Sequence, residues 1–118
     1  MPFADILQEV VKGTDGALGA LVVGTDGISV EEFSLDRDLD LQAMTVEFST
    51  LLREIERGSQ AAQIGTTREV TVITEKALIM FRRLNAEYFT VLIIKPEGNL
   101  GKGRFLLRMS IPKLLKEL

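Results

Sequence analysis

The apolar positions change period several times along the chain, and each change marks an element. Phe3, Ile6, Leu7, Val10 and Val11 recur at i, i+3, i+4, i+7 and i+8, one face of a short helix that Gly13 ends. "ALGALVVG" and "ISVEEF" then flank "TDG", and Asp26-Gly27 supplies the turn residues of a β-hairpin. Ile28, Val30 and Phe33 are expected on the apolar side of its second arm, with Glu31 and Glu32 facing water near a sheet edge. An aspartate of "DRDLDL" caps a long helix running to about Gln63. Its expected core stripe is Leu41, Met44, Phe48, Leu51, Leu52, Ile55 and Ala62.

"GTTREVTVIT", "ALIMFRRL" and "EYFTVLIIKP" read as three consecutive strands, with tight turns at Glu75-Lys76 and Asn85-Ala86. Pro96 ends the last strand and Asn99 caps a terminal helix, along which Leu100, Gly103, Leu107, Ile111, Leu114, Leu115 and Leu118 recur. The order is helix-strand-strand-helix-strand-strand-strand-helix. It predicts an α/β sandwich, a five-stranded antiparallel sheet in two meanders with helices on both faces. No linker interrupts residues 1–118, and that length supports a single domain.

Charge and composition narrow the function. A net charge of −3 gives no reason to seek nucleic acid or an anionic membrane. Apolar runs such as "TVLII" are strand-length, well short of the roughly 20 residues of a membrane span. No basic segment with a hydrophobic core behind it opens the chain, and there is no cysteine, so a cytoplasmic setting is expected. Histidine is absent too. The chain therefore lacks the commonest general base, the usual zinc ligands and a thiolate nucleophile. A binding protein is expected, not an enzyme, with no cofactor and no metal.

Two motifs fail on inspection. In "KPEGNLGKGRFLL" a phosphate-binding loop with its lysine at Lys102 needs glycine at 96 and Ser or Thr at 103, where the chain has Pro96 and Gly103. A strand-to-helix turn is the expected role, with Gly101 and Gly103 tolerated because the helix packs closely on the sheet. "DRDLDLQAMTVE" puts Asp36, Asp38, Asp40 and Glu47 at calcium-loop positions, but Leu41 stands where that loop turns on glycine. Arg82-Arg83 reads as a solvated turn.

The long helix has a second face. Ala43, Val46, Thr50, Arg53, Arg57 and Ala61 lie opposite its core stripe, small and partly apolar with two arginines. Small residues admit another backbone and arginine suits interfaces, so this face is expected to contact a protein. On the last helix Phe105, Met109 and Pro112 lie off the main stripe, free to meet a partner or to pack on the first helix. Pro112 is expected to kink that helix or restart it after a Ser110 cap.

The element order, "GALGALVVGTDGISV" and "GNLGKGRFLLR" resemble the roadblock family of dynein light chains and its bacterial relatives of the MglB type. The resemblance covers essentially the whole chain. Pro112 and the acidic "VEEF" depart from the family pattern. It implies a roadblock-like, profilin-like sandwich and a homodimer. In that dimer the edge strand Arg68–Thr74, with Glu69, Val70, Thr71, Val72 and Ile73, pairs with its symmetry mate while the long helices lie side by side. It further implies a platform for a small Ras-like GTPase, with the catalytic groups belonging to the GTPase. "REVTVIT" suits such an edge, being β-branched and bearing both signs of charge. Val72→Pro is expected to disrupt folding or dimerisation. The alternative is a small-molecule sensor with an apolar pocket between sheet and helices, since one fold hosts many functions.

Overall fold

The structure is a computed structural model that describes residues 2–118. Its elements are α1 (Phe3–Lys12), β1 (Ala17–Gly24), β2 (Ser29–Ser34), α2 (Leu41–Ala61), β3 (Glu69–Ile73), β4 (Leu78–Arg83), β5 (Tyr88–Ile94) and α3 (Leu100–Leu115). The strands form one antiparallel sheet in the order β2-β1-β5-β4-β3, so β2 and β3 are its open edges. Helices cover both faces, as the pattern predicts. None is long and apolar enough to cross a membrane.

The three inner strands are buried on both faces and divide their side chains by parity. Ala20, Val22, Met80, Leu92 and Ile94 pack beneath α1 and α3 with Ile6, Leu7, Leu107 and Leu114. Leu21, Val23, Ile79, Phe81, Val91 and Ile93 face α2. This two-sided burial is why "ALGALVVG" and "TVLII" read as nearly unbroken apolar runs. Asp40 and Asn99 cap α2 and α3 as expected, accepting the Ala43 and Lys102 backbone N–H groups at 3.0 Å each.

The "EGNLGKG" stretch turns a strand into a helix. The Asn99 N–H donates to the Asp15 carbonyl at 2.9 Å. A Cβ on Gly98 would lie 2.8 Å from that same carbonyl, so this glycine is required for close backbone approach. Gly103 packs on the sheet as expected: a Cβ there would meet Ile94 Cδ1 at 2.8 Å and Leu92 Cδ2 at 3.0 Å. Gly101 differs, having only Asn99 Oδ1 within 4 Å, so sheet packing does not account for it.

Several expected orientations are corrected. Ile28 and Val30 are exposed, and only Phe33 of that set packs on the core. The β1–β2 register slips between Val22 and Val23, leaving Val30 unpaired on an edge strand. The buried residues of α2 are Leu41, Thr45, Ser49 and Leu52, with Met44 and Phe48 half-buried beside them. Leu51 and Ala62 are exposed, because the helix is rolled toward its small polar side. Leu115, the last residue of α3, and Leu118 beyond it are exposed. That helix runs unbroken through Pro112, which lies on its exposed side, and Ser110 donates to the Leu107 carbonyl instead of capping a new helix.

Candidate protein-docking face

All six residues singled out on α2, Ala43, Val46, Thr50, Arg53, Arg57 and Ala61, are exposed on the side facing away from the sheet. Val46, a β-branched aliphatic, is 57% exposed. The two arginines are already oriented. Arg53 donates through Nη1 to the Thr25 carbonyl in the hairpin turn and through Nη2 to Thr50 Oγ1 at 3.3 Å. Arg57 Nε donates to Glu54 Oε2 at 2.9 Å.

The hairpin turn belongs to the same face. Gly27 has φ +89°, a backbone conformation that disfavours a side chain, and a Cβ there would lie 3.1 Å from Ser49 Oγ. Asp26 Oδ1 accepts the Ile28 N–H at 3.0 Å, closing the tight turn against the helix. Thr25 was not foreseen as part of this face. Its link to Arg53 spans 28 residues through a backbone carbonyl, for which no side-chain pattern exists.

Below this face a cavity of about 220 Å³ opens between the hairpin, α2 and β5, lined among others by Val23, Thr45, Ser49, Leu52, Arg83 and Phe89. Its polar groups are engaged locally. Thr45 Oγ1 donates to the Leu41 carbonyl and Ser49 Oγ to the Val46 carbonyl, at 2.6 and 2.8 Å. Arg83 is no solvated turn. It donates to the Thr67 carbonyl at 2.7 Å, the Asn85 carbonyl at 3.1 Å and Glu56 Oε2 at 3.1 Å, and lies 4.6 Å from the centre of the Phe89 ring. Its neighbour Arg82 is half-buried, 3.6 Å from Glu69.

Glu56 fastens the C-terminal half of α2 to the β3 side of the sheet. It accepts from Gln60 Nε2 at 2.9 Å and from the Thr67 N–H at 2.8 Å, besides Arg83. The Gln60 bond, then the Thr67 N–H, hold its carboxyl at a pKa of about 2, well below the ordinary carboxylate range.

The second expected surface is the β3 edge. The Arg83 N–H bonds the Arg68 carbonyl and the Thr74 N–H bonds the Ala77 carbonyl, so by antiparallel alternation Val70 and Val72 bond inward to β4. The backbone groups of Glu69, Thr71 and Ile73 point outward. Val70 and Val72 are half-buried on the α2 side, while Arg104 of α3 grips Glu69 at 3.1 Å on the other. Beside β3, α2 carries a stripe spaced 4-3-4-3-4: Met44, Phe48, Leu51, Ile55, Gly58 and Ala62. Leu51 is 46% exposed, and a Cβ on Gly58 would find nothing within 4 Å. Such spacing suits one helix lying alongside another.

No family model and no curated protein sequence matches the chain. Solved structures do. The chain is 41% identical to MglC from Myxococcus xanthus over 100% of both chains, with a TM-score of 0.73. A Roadblock/LC7 domain from Streptomyces avermitilis, 14% identical over 99% of this chain and 98% of that one, superposes with a TM-score of 0.87. The gliding protein MglB from Thermus thermophilus, 15% identical over 95% and 84%, gives 0.85. The last two likenesses are of fold.

Proposed function

Because the chain belongs to the roadblock family, we propose that it is a cytoplasmic homodimeric adaptor or regulator of a small Ras-like GTPase. The observation that carries this reading is the exposed outer face of α2. It sets small residues and Val46 beside two arginines and is extended by the hairpin turn docked against it. Such a face admits a partner backbone closely and offers guanidinium donors at its border.

In the proposed dimer, outward backbone groups of β3 pair with those of a symmetry mate and the 4-3-4-3-4 stripes of the two α2 helices meet. Both features favour it: an open β-branched edge, and beside it a seam on which Leu51 is exposed and Gly58 leaves open space. The two outer faces then form one platform.

The chain supplies docking and the GTPase its own catalytic groups. An arginine finger must reach freely into the partner's phosphates. Arg53 is tied to Thr25 and Thr50, and Arg57 to Glu54, which favours docking over an inserted finger. The sensor alternative gains nothing from the cavity, whose buried hydroxyls are spent on helix carbonyls.

Ala61→Arg places a long charged side chain at the exposed end of α2. Titration calorimetry against a Ras-like GTPase loaded with GTP analogue or GDP is expected to show binding by the wild type and at least a 10-fold loss in the variant, with dimer mass retained. Unchanged affinity would remove this face from the proposal.

A further inference from the structure

The net charge of −3 conceals a segregation of charge. Residues 26–40, the β2 edge and the loop after it, carry Asp26, Glu31, Glu32, Asp36, Asp38 and Asp40 against Arg37 alone. Apolar side chains stand out among these acids: Ile28 is 68% exposed and Leu35 57%. Among the described residues, no cation pairs with Glu31 or Glu32.

The outer side of α3 has the opposite character. Lys102, Arg108 and Lys116 are exposed and without an acidic partner among the described residues, and Lys113 reaches Glu9 across a 3.4 Å gap. Phe105 and Met109 stand out between them, with Lys102 Nζ 5.8 Å from the Phe105 ring centre. Beside Met109 a cleft of about 70 Å³ opens between α1 and α3 over Ile6, Val10 and Leu106, a space suited to one aliphatic side chain. The two patches cannot satisfy each other within one molecule. β2 is one sheet edge, whereas Arg104 anchors α3 at the opposite edge, on β3.

We infer that the acidic, apolar β2 edge of one copy docks on the basic, apolar outer side of α3 of a second copy, giving a head-to-tail contact. The complementarity is twofold. Acids with exposed aliphatics meet bases with exposed Phe and Met, and a protruding aliphatic meets a cleft of matching size. A discrete cleft suits a side chain better than a lipid surface does. The contact uses neither β3 nor the outer side of α2, and it meets the α2 face only at the hairpin turn, through Asp26 and Ile28. Being heterologous, it links molecules head to tail, into a ring where the rotation between copies closes and into an open filament where it does not.

Light scattering and sedimentation velocity test this on the full chain. At 50 mM salt the mass is expected to grow with concentration, and at 0.5 M to fall to a constant species, since exposed charge pairs are screened. Arg108→Glu with Lys116→Glu, or Glu31→Lys with Glu32→Lys, should each weaken association about 10-fold or more while circular dichroism stays native. An equimolar mixture of the two variants should assemble again, because each restores the charge its neighbour lacks. No growth of the wild type at 50 mM salt, or no recovery on mixing, overturns the contact. So does wild-type protein that pellets with anionic phosphatidylserine vesicles without self-associating, which would assign the basic side of α3 to membranes. The high-salt species reports separately on β3: a monomer there refutes the edge-strand dimer and leaves the head-to-tail contact to the mixing experiment.

Discussion

Glu56 and Gly103 each hold one helix to the sheet, by different physics. The Glu56 carboxyl titrates at about 2 because Gln60, the Thr67 N–H and Arg83 all favour its ionised form. In the unfolded chain it titrates near 4.5. A depressed carboxyl adds stability that is present above the unfolded value and is lost as pH falls toward the folded one. Glu56→Gln should therefore lower Tm at pH 7, and the gap to wild type should narrow steadily between pH 5 and pH 2. A gap independent of pH would mean that packing, and not charge, is what the variant removes. Gly103 works by being small. Gly103→Ala gains helix propensity but pushes a methyl into buried Ile94 and Leu92, for a net loss of up to about 2 kcal/mol. Gly101→Ala has open space and should gain up to about 1 kcal/mol. Thermal melts of the pair would separate the two roles of one glycine-rich turn, and equal shifts would remove the distinction.

At the scale of elements, the β3 edge and the α2 seam make a sharper experiment possible than the sequence suggests. Val72→Pro would cut the ladder to β4 and harm the fold itself. The Thr71 backbone points outward, so Thr71→Pro leaves that ladder whole and blocks pairing with a second copy. The expected product is a folded monomer, with native circular dichroism and half the mass by light scattering. A dimer of unchanged mass would move the interface off this edge. Element order, both helix caps and all three tight turns were legible in the sequence because each has a local cause, a period or a capping side chain. The roll of α2 was not. Its apolar stripe through Met44, Phe48, Leu51 and Ile55 is the more hydrophobic side, yet the sheet takes the side with Thr45 and Ser49, whose hydroxyls return to helix carbonyls. Periodicity names a stripe without saying which neighbour covers it. Ile28 and Val30 misled for a related reason: alternation was read in a strand whose register slips. Arg83 could not be placed at all, since its partners Glu56 and Thr67 are remote in sequence. The six candidate residues of α2 could be grouped because they share one helix, but the hairpin turn that adjoins their face could not.

Across the whole molecule, the surfaces proposed for contacts lie apart, with only the hairpin turn shared: the outer side of α2, the β3 edge, and the complementary β2 and α3 patches. They can be separate because the sheet joins them as one rigid layer, and the middle of that layer is built from the ends of the chain. β1 pairs with β5, setting Leu21 opposite Val91, so the first and last strands form the central ladder. This has a consequence for synthesis. A chain emerging N-terminus first presents β1, β2 and α2 long before β5 exists, and a lone hairpin is marginal in water. Until residues near Ile94 leave the ribosome, the apolar strand "ALGALVVG" has an unsatisfied edge, and the long-range pairing that follows is slow to form. The acids of β2, Glu31 and Glu32, follow that strand closely in sequence and are present throughout this interval. The charges that, in the proposed head-to-tail contact, hold the β2 edge to a folded neighbour would then also keep unfinished chains apart.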